Sequence, residues 1–393
     1  MSGTTPRTGT DATTADVVCL GESMVTFLPS RPGRLADVPS FARGIGGAES
    51  NVACALAAAG HRSAWVSRVG ADGFGDHLVE AIGAYGVDTS AVRRDPHRPT
   101  GIYFRTATDR ATDVHEVAYY RAGSAASAMS PSTVPADKLP AGRILHLSGI
   151  TAALSADCLA LLHELTAPRQ GRPLISFDVN YRPGLWRGES PTVLLGLARR
   201  ADVVFVGEDE AESAWGVVGA EAIREALPEP GVVVVKRGAD GVTVFSQEPG
   251  LRPGPRASNA GGADFQPVRR LRTGGPGATP PVPEGAGRGE APRSGPDTVT
   301  HVPALRVDVV APVGAGDAFA AGFLSATLRG LPVRDRARHG HLMAAAVLTV
   351  PGDLTEPPAR DRADHLAALD DDAWGRLRLG PGWTGDDTEV RTT

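Results

Sequence analysis

The sequence predicts an α/β protein: a mostly parallel sheet with helices over both faces, and a small β flap standing beside it. Three observations carry this. Short valine-rich runs alternate with helix-spaced segments from Val17 onward, the pattern of βαβ units with covered faces. Two aromatic runs, Ile102-Tyr103-Phe104-Arg105 and Val117-Ala118-Tyr119-Tyr120-Arg121, flank a charged turn and break that alternation. Finally, Val307 to Val310 lead into a glycine-spaced turn and a small-residue helix with Asp317 at its opening.

In chain order, Val17 to Gly21 reads as the first strand, followed by a polar stretch to Gly44. Ala48 to Ala59 has helical spacing and ends at Gly60, a natural stop. Ser63 to Val69 is a strand and Gly73 to Gly83 a helix. Beyond the flap the alternation resumes: strand Ile144 to Leu147, helix Ala156 to Leu165, strand Leu174 to Asp178, helix Val193 to Arg199, strand Val203 to Val206. Helices near Glu208 to Trp215 and Ala220 to Leu227 precede strands at Val232 to Val235 and Gly241 to Phe245. The sheet is expected to resume at Val302, with apolar helices at Ala318 to Arg329 and Val333 to Leu348 and terminal helices within Arg360 to Arg378.

Residues 247–300 are dominated by Gly, Pro, Ala, Arg and Ser and bury too little to offset chain ordering, so a disordered insertion is expected there. The domain is placed at 17–379, with flap segments at about 24–44 and 100–121, a disordered tail at 1–16 and a flexible tail at 380–393. A formal net charge of −5 and the lack of any Lys/Arg block argue against a nucleic-acid protein. No apolar run approaches membrane-spanning length, and the first 16 residues lack an apolar signal core. Cys19, Cys54 and Cys158 lie scattered in apolar surroundings, without metal-ligand spacing, as buried thiols of a reducing compartment do. A cytoplasmic protein is expected.

The chemistry concentrates at strand and helix junctions. Glycines at 314 and 316 let a turn approach an anion, and the first N–H groups of the following helix point at the same spot. An acid at 317 suits proton abstraction from an alcohol attacking a phosphoryl group, or simple helix capping. No Gly-Lys-Ser/Thr follows, so this is not a P-loop. Gly46-Gly47 open a helix on which Asn51 offers a donor and an acceptor to hydroxyls. Asp178, Asn180 and Arg182 follow a strand, where α/β folds bind ligands; Arg182 suits a phosphoryl clamp, and loop-bracing salt bridges are the alternative. Glu210 suits a water-shelled magnesium ion, and Arg121, supported by Tyr103 and Arg105, a substrate carboxylate. His301, His339 and His341 are badly placed for a metal cluster.

Together these segments resemble the ribokinase-like, or PfkB, carbohydrate kinases from Val17 to about Gly352, interrupted by the insertion. Gly46-Gly47 with Asn51, the run Arg68 to Gly75, and Gly314-Ala315-Gly316-Asp317 carry the resemblance. It implies a three-layer α/β/α domain with a small β-sheet lid, and transfer of phosphate from ATP with Mg2+ to a sugar hydroxyl. Asp317 is then the base, Gly314, Ala315 and Gly316 form the anion hole, and Lys236, Gly238 and Gly241 line the nucleotide site. Gly21-Glu22-Ser23-Met24, Tyr119 to Ala125 and Asp178 to Trp186 look most like the 2-keto-3-deoxygluconate kinases. That likeness carries Tyr103, Arg121 and Arg182 to the sugar-acid side of the pocket. Lid edges pairing between subunits imply a homodimer.

Two positions depart from the pattern. Ala311 stands where an acidic or polar residue is usual, and Gly207 replaces the Asn of an Asn-x-x-Glu motif, leaving Glu210 alone. A kinase of a neutral sugar or polyol, and a non-catalytic sugar- or nucleotide-binding protein, stay open as alternatives. The sequence speaks against a dinucleotide oxidoreductase, because Gly21 is followed by Glu22-Ser23-Met24 rather than a glycine-rich turn.

Overall fold

The computed structural model describes residues 14–106, 116–186, 190–247, 296–385 and 391–392. The chain opens with β1 (Ala15–Leu20), leaves the main sheet for β2 (Met24–Pro29) and β3 (Phe41–Gly46), and returns through α1 (Ala48–Ala58) to β4 (Ser63–Val66). The short strands β5 (Arg68–Gly70) and β6 (Arg93–Asp95) bracket α2 (Gly73–Ala84), after which β7 (Ile102–Arg105) and β8 (Val117–Tyr120) leave again. Strand–helix alternation follows with β9 (Gly142–Ser148), α3 (Gly149–Ala152), α4 (Ala156–Leu165), β10 (Leu174–Asp178), α5 (Thr192–Ala198), β11 (Val203–Gly207), α6 (Glu208–Trp215), α7 (Ala220–Ala226) and β12 (Val232–Lys236). Then come β13 (Val242–Ser246), β14 (Thr298–Val302), β15 (Arg306–Val307), α8 (Ala315–Leu328), α9 (Val333–Leu348), α10 (Arg360–Ala367), α11 (Asp371–Arg376) and β16 (Leu377–Leu379).

Eight strands form the main sheet in the order β14-β13-β12-β11-β10-β9-β1-β4. The six from β12 to β4 are parallel; β13 and β14 extend one edge antiparallel, so the sheet is mixed rather than wholly parallel. The valine runs are continuous because both faces are covered. In β11, Val203 and Phe205 point into one core, with Val52, Leu56, Phe319, Phe323 and Leu342 of α1, α8 and α9. Val204 and Val206 point into the other, with Leu161, Leu162, Leu194 and Ile223 of α4, α5 and α7. The sheet is thus the middle of three layers.

The flap is a separate four-stranded sheet, β3-β2-β7-β8. So small a sheet is marginal alone, and aromatic packing supplies the cohesion: Phe27 stacks on Phe104 with ring centres 4.6 Å apart, and Phe41 and Phe74 meet them edge-on. Phe74, at the start of α2, also ties the flap to the main domain.

Several expectations shift. The valine run 307–310 is a strand only at Arg306–Val307, pairing with β16. Val310 instead donates its N–H to the Leu348 carbonyl at the end of α9, and Val309 and Val310 are exposed, because the chain has already left the sheet. Helix α8 begins at Ala315, three residues before the apolar run suggests. Ala15 and Asp16, placed in a tail, belong to β1, and residues 298–300, placed in the insertion, belong to β14. The rest of those two segments, 1–13 and 248–295, lies outside the described residues. At the other end Trp383 is 2% exposed and joins the α8–α9 core, so the segment expected as a flexible tail is anchored at that side chain, with Pro381, Gly382 and Gly385 exposed around it. The three thiols are free and buried. Among the described residues no helix is long and apolar enough to cross a membrane.

Because Trp383 is core, Trp383→Ala is expected to lower unfolding stability by about 3–5 kcal/mol, read from the denaturant midpoint; an unchanged midpoint would return 380–385 to the tail.

Candidate active site

The carboxyl ends of β1, β9, β10, β11 and β12 and the amino end of α8 converge. Gly314 caps α8 with φ +81°, a conformation glycine adopts freely, and a Cβ there would stand 2.5 Å from the Asp353 carbonyl oxygen. Among the described residues no acceptor meets the N–H groups of Gly314, Ala315 and Gly316, so the helix presents free donors and the positive end of its dipole. Asp317 follows in the first turn. Its Oδ2 accepts a 2.8 Å hydrogen bond from Asn51 Nδ2, bringing two residues 266 positions apart into contact. Loss of hydration pushes the Asp317 carboxyl up to about 7; Asn51 opposes this, Asp178 adds to it, and Arg182 and Lys236 oppose it.

Lys236, one of two lysines in the chain, ends β12. Its Nζ donates to Asp178 Oδ1 and Oδ2 at 3.0 and 3.3 Å and lies 3.9 Å from Glu210 Oε2. Burial alone would pull its pKa down, but Asp178 and Glu210 outweigh that and hold it above the usual lysine range. The same ammonium stands 3.9 Å from where a Gly316 side chain would begin, beside the free helix donors. Glu210 is held above the usual carboxylate range by burial, against the pull of Lys236. It also accepts the Gly207 N–H at 2.7 Å, the only half of a capping box that a glycine N-cap permits. Asn180 sits at φ +38°, the only non-glycine among the described residues with positive φ, and its buried Oδ1 has no partner there. Arg182 is exposed and makes no ion pair among the described residues.

Against the other side stands the flap. Tyr103 donates its hydroxyl to Asp353 Oδ2 at 3.0 Å, and Arg105 pairs with Asp353 Oδ1 at 2.7 Å and donates to the Pro351 carbonyl. Gly46 passes beside both, 2.9 Å separating its missing Cβ from Asp353 Oδ2. Asn51 Oδ1 is buried without a partner among the described residues, leaving it open to a hydroxyl. Arg121, expected to face a substrate carboxylate, pairs with Glu22 in a contact that buries both side chains. Gly238 and Gly241 shape the β12–β13 turn just beyond Lys236; Gly241 adopts φ +103° because a Cβ would strike the Val302 carbonyl.

The structure therefore gathers Asp317, Asn51, Asp178, Lys236 and Glu210 through short contacts, with Arg182 near enough to act on Asp317 and Glu210. Three further acids escaped the sequence reading. Glu22 pairs with Arg121, Asp353 holds Tyr103 and Arg105, and the wholly buried Glu49 accepts from Ser148 Oγ and Thr151 Oγ1 at 2.7 and 2.6 Å. Their only signal was an acid beside glycine or alanine at an element's end, which ordinary capping also produces. His146, likewise unnoticed, is buried below the site beside Ser176, and burial holds it down to about 4.

Comparison with known proteins bears on this geometry. The profile of the pfkB family carbohydrate kinases matches residues 14–260 and 291–360. A 2-dehydro-3-deoxygluconokinase from Bacillus subtilis (strain 168) is 33% identical over 359 residues, which span 90% of this chain and 96% of that protein. A 2-dehydro-3-deoxygluconokinase from Thermoproteus tenax is 30% identical over 361 residues, 89% of this chain and 93% of that protein. The crystal structure of a PfkB protein from Polaromonas sp. JS666 superposes with a TM-score of 0.67 at 29% identity, over 90% of this chain and all of that one. Matched by the family profile over most of its length and at least 30% identical to two relatives that it covers almost fully, this chain belongs to the pfkB family of carbohydrate kinases.

Proposed function

We propose that the chain phosphorylates 2-dehydro-3-deoxy-D-gluconate at its 6-hydroxyl, using ATP and Mg2+. The observation that carries this is Asp317, a carboxyl tuned to about 7 and oriented by Asn51 at the free amino end of α8. The 6-hydroxyl gives its proton to Asp317 as its oxygen attacks the γ-phosphorus; the bond to the β-phosphate oxygen breaks, and ADP leaves. The N–H groups of Gly314, Ala315 and Gly316 receive the charge on the transferring group, with Lys236 beside them and Arg182 closing from the β10 loop. Gly238 and Gly241 shape the nucleotide side. Asp178 and Glu210 are two acids against one buried ammonium, a donor set suited to a water-shelled magnesium ion. Bound there, the ion would neutralise phosphate charge.

Gly46, Gly47 and Asn51 give the sugar a close backbone and a hydroxyl acceptor, with Asp178 on the phosphoryl side. Tyr103, Arg121 and Arg182, supported by Arg105, are the groups for the sugar-acid carboxylate, Arg105 and Arg121 being held by Asp353 and Glu22. A second reading has a specific support. Arg105 and Arg121 already hold Asp353 and Glu22, so neither of these two arginines brings uncompensated positive charge, which suits a neutral sugar such as fructose or ribose. In either case the edge strand β8, with Tyr119 and Tyr120 exposed, is placed to pair with a second copy, giving a homodimer of a cytoplasmic enzyme.

The test is ADP release from ATP and magnesium with 2-dehydro-3-deoxygluconate, ribose and fructose. Selective turnover of the sugar acid is expected; turnover of a neutral sugar alone would overturn the acid assignment, and binding of ATP without turnover would favour a binding protein. Asp317→Asn is expected to lower kcat by about 10²–10⁴-fold with the fold unchanged by circular dichroism. Because Asp317 must be ionised to take the proton, kcat/KM is expected to fall on the acid side of about 7. Asn51→Ala removes a hydrogen bond that favours the ionised form, so the acid limb should move to higher pH. A limb that stays in the ordinary carboxylate range in both proteins would assign the base elsewhere.

A further inference from the structure

The chain passes between the main sheet and the flap four times, and all four passages meet at one residue, two of them at its carboxylate. Glu22 lies in the first, between β1 and β2. Its carbonyl fills the space a side chain on Gly47 would need, at the second passage between β3 and α1. Its Oε1 lies 3.0 Å from where a Cβ on Gly101 would stand, at the third, just before β7. At the fourth, just after β8, Arg121 pairs with Oε2, and Ser124 donates to Oε1 at 2.6 Å. Backbone bonds tie the passages further: Val25 N–H to the Gly101 carbonyl at 3.1 Å, and Ala125 N–H to the Pro99 carbonyl at 2.8 Å. Each passage also holds a glycine, at 21, 46–47, 101 and 123, where a change of backbone direction meets least resistance.

The charges are arranged for a pivot. The Glu22 side chain is 1% exposed and that of Arg121 11%, so neither has water to replace the other. Arg121 keeps a buried Nε without a partner among the described residues. A second carboxyl, Glu49, lies within its electrostatic reach, with one oxygen likewise unpartnered. The pair belongs to neither sheet; it sits where the two bodies join, so its geometry sets the angle between them.

We infer that Glu22 and Arg121 are the hinge pin of the flap, positioning residues that fix how it seats over the sugar and excludes water from the phosphoryl group. The catalytic side of this inference rests on the kinase reading; the mechanical side does not. Glu22→Gln and Arg121→Gln in the full chain test both. Hydrogen–deuterium exchange without ligands is expected to speed in β2 and β7 while α8 and α9 keep wild-type protection. With sugar and ATP, KM for the sugar should rise roughly tenfold or more with a smaller change in kcat. More than one ADP should form per sugar phosphorylated, as water reaches the γ-phosphorus. Arg121→Lys should restore part of the coupling, and the double variant should be no worse than the single ones.

Unchanged exchange in the flap, exchange raised equally across the whole chain, or one ADP per phosphorylated sugar in every variant would overturn the inference. Should the two variants fail to fold, Ser124→Ala removes one hydrogen bond to the same carboxylate and must show the same pattern at smaller amplitude; its absence there also overturns it. If the wild-type protein phosphorylates no sugar, the kinase reading falls while the exchange measurement still decides the hinge.

Discussion

One ammonium group, Lys236 Nζ, sits among the carboxylates of Asp178, Glu210 and Asp317, and the site is arranged around that imbalance. Three acids cannot all be satisfied by one cation in surroundings of low polarity. Asp178 takes the direct contact and Glu210 the longer one, backed by the Gly207 N–H. Among the described residues Asp317 has a side-chain hydrogen bond from Asn51, with Arg182 and Lys236 acting only at longer range, and a raised proton affinity. Burial, with Asp178 adding to it, keeps the proton affinity of Asp317 high. The position is tenable only because six parallel strands end together, bringing β10, β11 and β12 to the head of α8.

The flap solves a different problem. A sheet of four short strands has no core of its own, so it depends on the ring cluster of Phe27, Phe41, Phe74 and Phe104 and on polar ties to the larger body. Those ties are unusual in kind: Arg105 with Asp353, Tyr103 with Asp353, Arg121 with Glu22. Apolar packing would hold the flap in place but would not fix its angle, whereas a buried ion pair tolerates little displacement before both charges lose their partner. Asp353 serves two neighbours at once, holding the flap through its carboxylate and lying against Gly314 through its backbone. The flap and the turn that opens α8 therefore share one residue.

Much of this was legible in advance where local chemistry alone decides. Helix Ala156–Leu165 and helix Val333–Leu348 follow from apolar spacing between clear stops, and the aromatic runs announced a flap. The valine run at 307–310 shows the limit, because strand propensity has no effect where there is no neighbouring strand to pair with. Trp383 shows it at the terminus: a lone tryptophan among glycines reads as tail until a core is there to receive it. Among the polar residues, Asp317 and Asn51 stood out through their glycine-spaced surroundings. Glu22, Glu49 and Asp353 did not, because a single acid at an element's end looks the same whether it caps a helix or holds an arginine on a distant strand.

The sequence by itself determined the layer architecture, the glycine-spaced turn before α8 and the acid in its first turn, since these rest on periodicity and on residues adjacent in the chain. Only the tertiary structure decided which charges are answered. The partners of Asp317, Arg105, Arg121 and Lys236 lie 266, 248, 99 and 58 positions away. Pairing over such distances is set by where the folded sheet delivers the ends of its strands. Arg121 is the clearest case: alone it is a cation awaiting an anion, and in the fold it is half of a buried pair at the joint between two sheets.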